Sequence, residues 1–531
     1  MKIENLLAKG YMCEELPPPF NSLLLGEKYT QINRGITSRP LSDLPTDTVC
    51  TDFLAPKIGI HRRHFSIPHP YPQIKISEAI VRNWGNIETQ YAKSKSSKST
   101  PEISLRGIRS IVYLDKYEDF RESCIKASAT KKYELHIDIA KYFFSIYTHS
   151  IPWAIHTKPT AKADSTSRLW GNEIDKYIRL AQSKQTKGIP IGTDTSRIVA
   201  ELIGSAIDVE FEKTLKKLKI DPIGFRFVDD CRYFFDSLAD AERALKEYQK
   251  ILIGYSLQLN DEKTKIVRRP STFDNSWKTI LNTVELEQIE ERYDKKQRNA
   301  IKNYFNLLLE LSNAHPTDSV IKYGVKRLHK LTAHRKNIDI FEPLLYNLVL
   351  CEAIILPDAL KILDKHKRFL SMGKLEEFIR QLIVQNVHKG HHFEVAWALW
   401  YAKHFNLKIT ASIAQEILET GDVISTVVLL DVYKSKLING RISFATLKKE
   451  LSLECLSNER WILAYEAEFN RWLPLKNINH DTFFSTLKKN RVNFYDSNAG
   501  LKKGKTMKKS IIKKKVLKPK SSLKAVASDY L

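Results

Sequence analysis

The stretch Phe225-Arg226-Phe227-Val228-Asp229-Asp230-Cys231-Arg232-Tyr233-Phe234-Phe235 constrains the fold of this chain more than any other. Two apolar, strand-like runs meet at adjacent aspartates, with no Gly or Asn between them. A two-residue hairpin loop needs positive φ at its centre and so selects Asn-Gly or Asp-Gly. Asp-Asp at that point accepts strain and like-charge repulsion, which a bound divalent cation would offset. Alone, the stretch reads equally well as a surface turn with two solvated acids.

A second carboxylate separates the two readings. In Tyr133-Glu134-Leu135-His136-Ile137-Asp138-Ile139, the residues Tyr133, Leu135, Ile137 and Ile139 alternate with the others, which predicts a strand with one buried face. Asp138 falls near its C-terminal end on the opposite face, followed by a short amphipathic helical turn through Phe143, Phe144 and Tyr147. A strand ending in Asp beside a hairpin tipped with Asp-Asp suits two-metal phosphoryl transfer, in which carboxylates hold two hard cations about 3.5–4 Å apart.

In order along the chain, Asp138 to Phe143, Gly188-Ile189-Pro190-Ile191-Gly192, Phe227-Val228-Asp229-Asp230 and Leu259-Asn260-Asp261-Glu262-Lys263-Thr264 resemble motifs A, B, C and D of the reverse transcriptases. The resemblance covers roughly residues 1 to 270. Three further segments are similar to the defence-associated, abortive-infection type of bacterial reverse transcriptase: Lys9-Gly10-Tyr11 with Glu15 to Phe20, Ser66 to Pro70, and Ser145 to Trp153.

The resemblance implies an α+β fold, with fingers and a ferredoxin-like palm followed by an α-helical repeat domain in place of a thumb. It implies a nucleotidyltransferase using dNTPs and Mg²⁺, with Mn²⁺ as the alternative ion. Asp138, Asp229, Asp230 and the carbonyl of Ile139 would be the metal ligands, with Asp230 cast more as a support of the hairpin or primer end. Asp138, Asp229, Asp230 and Lys263 form the catalytic set, in which Lys263 protonates or neutralises the leaving pyrophosphate and Asn260 braces its loop. Phe143 occupies the steric-gate position, where a ring excludes a ribose 2′-hydroxyl. Pro190 and Gly192 shape the nucleotide pocket, and Gly188 lets the backbone approach closely. Arg106 and Arg109 are candidates for the triphosphate, since guanidinium groups pair with phosphate oxygens; a solvated basic strand is the other reading. Ile191 stands where templated members usually carry Gln, which leaves template-directed selection open.

Within the resembled family, some members make DNA without a template, prime from a protein tyrosine and assemble as rings. The resemblance therefore implies a homo-oligomer in antiphage defence with a DNA product. Alternatives are a templated enzyme copying a non-coding RNA, a ribonucleotide polymerase, and a nucleic-acid-binding effector without turnover.

Charge agrees with a polyanionic partner. Of the net +24, about ten charges come from the lysine-rich end between Leu501 and Leu531, and the rest of the chain remains basic. Six scattered cysteines without a C-x-x-C pair argue against a zinc site or disulfide framework and suit a reducing cytosol. The most apolar stretch, Leu344 to Leu356, is too short to span a bilayer, so a cytoplasmic protein with no membrane partner is expected. The expected divisions are lead-in and fingers over 1–130, palm over 131–275, helical repeats over 276–490, and a basic, disordered tail over 491–531. Lys93 to Thr100, rich in Ser and Lys, is expected as a flexible finger tip.

Overall fold

In a computed structural model, which describes residues 1–59, 61–272, 275–286 and 295–500, eight strands precede the helical C-terminal region. They are β1 (Thr51–Pro56), β2 (Arg62–Ile67), β3 (Pro101–Ile103), β4 (Ile111–Tyr113), β5 (Tyr133–Asp138), β6 (Ile223–Phe227), β7 (Asp230–Phe235) and β8 (Lys265–Arg268). β1–β2 and β3–β4 are antiparallel hairpins. The last four form one antiparallel sheet in the order β6-β7-β5-β8. With the helix Asp194–Lys217 before β6 and Leu238–Gly254 after β7, this is the ferredoxin-like βαββαβ order.

The alternation expected in β5 is present. Leu135, Ile137 and Ile139 are buried in a core with Ile198, Leu202 and Ile203 of the long helix and Ala244, Tyr248 and Leu252 of the next. Both helices start at side-chain caps. Thr193 accepts from the Ser196 amide, and Ser237 accepts from the Asp240 amide while its hydroxyl donates to the Asp240 carboxylate. The opposite face of the sheet is covered at one end by the helix Tyr117–Ser128, whose Phe120, Cys124 and Ala127 pack on Phe234.

A second core joins the ends of the chain. Leu7, Tyr11, Phe20, Phe53 and Phe65 pack in one cluster with Phe393, Trp461, Phe484 and Phe494. Thr51 donates to the Glu459 carbonyl, Trp397 Nε1 to the Glu15 carbonyl, and Arg62 pairs with Glu394. The lead-in and the first hairpin are therefore built into the C-terminal helices, which corrects the expected division of 1–130 from 276–490.

Beyond Trp277 the helices fall where the apolar spacing predicts them, including Met372–Asn386, His392–Phe405 and Val423–Lys434. Apolar spacing over Phe341 to Leu356 predicts a single helix there, but the helix ends at Cys351, and a new one, Leu356–His366, starts with Pro357 in its first turn. The expected disordered tail also begins too early. Val492, Phe494 and Tyr495 are fully buried, and the Tyr495 hydroxyl donates to Asp431. The lysine-rich residues 501–531 lie outside the described residues. All six cysteines are free. Among the described residues no helix is long and apolar enough to cross a membrane.

Candidate active site

The hairpin expected to carry Asp-Asp at its tip closes one residue earlier. Phe227 pairs with Asp230, so Val228 and Asp229 are the central turn residues and Asp230 opens β7. The strain falls on Val228, at φ +59°. A β-branched residue there is a genuine outlier costing about 1–3 kcal/mol. Both polar groups of its backbone are held: the amide donates to Ser99 Oγ (2.8 Å), and the carbonyl accepts from Arg226 Nη1 (3.1 Å).

Arg226 is fully buried and anchors this arrangement. Its guanidinium reaches Glu201 through Nη1 (3.0 Å) and Nη2 (2.7 Å), and Asp208 through Nε (2.9 and 3.0 Å). Both acids lie on the long helix, two turns apart. Between them, a methyl on Gly204 would sit 2.7 Å from Arg226 Nη1, so glycine makes room for the guanidinium. Burial works to raise Glu201, but Arg226, Ser97 and Ser99 outweigh it and hold its carboxyl below the ordinary range. Burial pushes Asp208 up to about 6 despite Arg226.

The serines come from the segment expected to be a flexible tip. Ser94 donates to Asp208, and Ser97 and Ser99 donate to Glu201. The Lys98 amide donates to the Arg226 carbonyl and the Arg226 amide to the Ser96 carbonyl, both at 2.7 Å, so the segment lies along the open edge of β6. Short hydroxyl side chains answering two buried carboxylates, not flexibility, account for its composition.

At the tip, Asp138 and Asp229 approach from adjacent strands. The Ile139 amide donates to the Asp229 carbonyl (3.3 Å); in extended chain the amide and carbonyl of one residue point the same way, so the Ile139 carbonyl lies on the hairpin side. Burial, and next the charge of Asp138, push the Asp229 carboxyl above its ordinary value. Asp138 is held by the segment from Leu259: Asn260 Nδ2 donates to Oδ1 and Lys263 Nζ to Oδ2, both at 2.9 Å, while the Asn260 amide donates to the Asp138 carbonyl (2.8 Å). Lys263 stays largely exposed. An ammonium thus stands where the paired carboxylates concentrate negative charge, and the all-oxygen donor set of Asp138, Asp229 and the Ile139 carbonyl fits a hard divalent cation.

Asp230 lies directly across the ladder from Asp138, with its carboxylate engaged by two other side chains. Its Oδ1 accepts from Arg232 Nε (2.9 Å) and its Oδ2 from the Tyr117 hydroxyl (3.1 Å). Arg232 also donates to His136 Nδ1 (2.7 Å). Burial first, then Arg232, lower His136 to about 3, so the 2.6 Å approach of Glu134 to its Nε2 is not an ion pair. Among the described residues no group of three or more His, Cys, Asp or Glu converges as a metal cluster. Through Arg232 and Tyr117, Asp230 ties the hairpin to its neighbours, in keeping with the expectation that casts it more as a support than as a ligand.

The remaining residues divide. Gly188 (φ +86°) and Gly192 (φ +121°) take backbone conformations that favour glycine, and a methyl on Gly192 would sit 2.8 Å from Cys13 Cβ. Pro190 is buried between them. Phe143 is half-buried against the sheet's helical core, and its carbonyl accepts from the Ile189 amide (3.0 Å). Arg106 is exposed in the β3–β4 loop. Arg109, by contrast, is 7% exposed, pairs with Asp194 at 2.9 Å and donates to the Gly192 carbonyl at 3.2 Å. Its expected place on an open triphosphate is corrected to a clamp inside the protein. Asp194, which sequence reasoning missed, also accepts from the Ser110 amide (2.9 Å) and hydroxyl (2.5 Å), and its own amide donates to the Gly10 carbonyl (2.7 Å). It ties together the lead-in, the β3–β4 hairpin and the Gly188–Gly192 loop. The Gly-Tyr pair at residue 10 was its sequence signal, since a methyl on Gly10 would meet Asp194 Cβ at 2.8 Å.

Residues 76–298 match the family model described as reverse transcriptase (RNA-dependent DNA polymerase), a span that holds Asp138, Asp229, Asp230 and Lys263. The chain carries a reverse transcriptase domain. Domains of that description are nucleotidyltransferases of the RNA-directed DNA polymerase type, a class that generally uses divalent metals such as Mg²⁺. Among solved structures, the chain is similar to apo telomerase of Candida tropicalis truncated from its C-terminal domain (15% identity, TM-score 0.31, 47% of this chain and 57% of that one). It is also similar to apo telomerase of Candida tropicalis (14%, 0.31, 72% and 70%) and to Candida albicans telomerase with a fragment of telomeric RNA (13%, 0.30, 68% and 69%). The chain thus spans 57% of the first of these.

Proposed function

We propose that this chain is a DNA polymerase that adds dNTPs by a two-metal mechanism, in which Asp138, Asp229 and the Ile139 carbonyl hold the ions. The observation that carries this is the pairing of Asp138 with Asp229, whose carboxyl is raised by burial and by that neighbour, under a lysine ammonium. Magnesium held there would activate the attacking 3′-hydroxyl and neutralise the leaving pyrophosphate. In this reading Lys263, whose ammonium donates to Asp138, takes up pyrophosphate charge or supplies its proton. Asp230 holds the hairpin against Tyr117 and Arg232. Phe143 selects dNTPs by crowding a 2′-hydroxyl.

The resemblance of Lys9 to Phe20, Ser66 to Pro70 and Ser145 to Trp153 supports the finer reading: an oligomeric antiphage enzyme, with the helical region in place of a thumb, that makes DNA without a template and from a protein primer. The test incubates purified protein with labelled dNTPs and Mg²⁺, without added template or primer, then treats the retained label with nuclease and protease. Protein-linked DNA is expected, and Asp229→Ala should abolish it. Incorporation only with an added or co-purified RNA, giving its complement, would replace the untemplated reading with a templated one. Incorporation unchanged in Asp229→Ala would end the catalytic assignment.

A further inference from the structure

The segment Tyr147 to Trp153 borders a feature the polymerase chemistry does not use. Its start runs antiparallel to the segment leading into Gly188: Tyr147 bridges to Lys187, and the Thr148 amide donates to the Thr186 carbonyl. Tyr147 and Trp153 then stand edge-on, 5.6 Å apart, as walls of a cavity of about 330 Å³. Lys162, Lys176 and Arg179 line the same cavity. Its one carboxylate, Asp175, is 4% exposed and already engaged by His149 Nδ1 (2.8 Å) and Arg179 Nε (3.2 Å). Among the described residues neither Lys162 nor Lys176 makes an ion pair, and the imidazole is held by the carboxylate.

Trp153 also borders a second cavity, of about 490 Å³, where Lys93, Lys158 and Lys213 face a single carboxylate, Glu210. The Lys158 ammonium lies 4.2 Å from the centre of the indole. Each cavity has a volume of the order a nucleotide-sized ligand needs. Aromatic rings interleaved with lysines, sequence-tolerant and without a pocket for any one base, are the arrangement that binds single strands: bases stack while cations take the phosphates.

We propose that these two cavities form a binding track for a single nucleic-acid strand, with Trp153 as the stacking platform between them. Lys162 and Lys176 on one side, and Lys93 and Lys213 on the other, contact the backbone, while Lys158 stays against one face of the indole and on the Gly254 carbonyl (3.0 Å). The track goes beyond the polymerase reading, because it requires no turnover.

The test measures binding of a fluorescent twelve-nucleotide oligo(dT) to the full chain by anisotropy, without divalent ions, between 50 and 200 mM NaCl. Trp153→Leu is expected to weaken binding by roughly 10-fold or more. The surface double variant Lys162→Ala/Lys176→Ala should lower the slope of log K against log salt by about 1.4, which is 0.7 for each lost phosphate contact. Asp229→Asn should bind like the wild type, so loss of polymerisation with binding intact bears on the polymerase reading and not on this one. Oligonucleotide affinity and salt slope unchanged in both track variants would overturn the proposal. So would dTTP competing as strongly as oligo(dT), which would assign the cavities to free nucleotide.

Discussion

Replacing Arg226 with methionine separates what the buried charges do for stability from what they do for the site. The substitution keeps length and apolar bulk, yet leaves Glu201 and Asp208 inside the protein without their cation. Breaking a buried ion pair in this way costs about 3–5 kcal/mol, a large share of the roughly 5–15 kcal/mol that holds a typical domain together. The three serines that donate to these acids soften the loss without supplying charge. Urea unfolding followed by tryptophan fluorescence reads the deficit. Without Arg226 both carboxyls are raised in the folded state, so the deficit is greatest when the unfolded chain is ionised, and it should shrink as pH falls from 7 towards 5. The triple variant Arg226→Met/Glu201→Gln/Asp208→Asn removes all three charges and should recover stability to within about 2 kcal/mol of wild type. Its dNTP incorporation should nevertheless stay at least 10-fold down, because the Val228 carbonyl has lost Nη1 and the turn no longer places Asp229. A single-variant deficit below about 1 kcal/mol, equal at both pH values, would refute the argument. Full activity in the triple variant would refute the link between this network and the catalytic turn.

Three further outcomes follow from the same geometry. Lys263→Ala should lower kcat for dNTP addition by roughly 100-fold with little change in KM, as expected for a group acting on the leaving pyrophosphate; an effect confined to KM would make it a binding residue. Phe143→Ala should raise kcat/KM for NTPs relative to dNTPs by about 10-fold or more, measured by competing labelled substrates; unchanged selectivity would leave Phe143 a packing residue. Glu466 is fully buried against the Phe494 amide and Asn470, and burial pushes it up to about 8 from an ordinary 4.5. The folded state therefore binds the extra proton, stability falls as pH rises from about 4.5 to 8, and Glu466→Gln should flatten that fall in thermal unfolding, a gain of up to roughly 5 kcal/mol at the alkaline end.

What could be read from the sequence and what could not divide along one physical line. Apolar periodicity placed Asp138 opposite Leu135 and Ile137, placed the strands flanking Asp229 and Asp230, and marked most C-terminal helices, because burial of apolar side chains obeys the period of the element that carries them. The departures near the site came from treating polar residues as solvated. Ser94 to Ser99 looked like a mobile loop, Arg109 like a ligand for triphosphate, and the Asp-Asp pair like the strained centre of the turn. In each case the polar side chains had partners inside the protein, which a hydropathy pattern registers as surface. The information was nevertheless present in spacing. Glu201 and Asp208 lie seven residues apart on one helix face among Ile198, Leu202 and Ile203, with Gly204 between them, and Arg226 takes the inward position of β6. Two acids on an apolar stripe, a glycine one turn from each and an arginine on the facing strand describe a cavity built for a guanidinium. Since that guanidinium also holds the carbonyl of Val228, the position of Asp229 depends on charges more than a turn of helix away from any substrate. Variants that lower activity in this chain should therefore be found in the serine segment and on the buried face of the long helix, as well as at the carboxylates themselves.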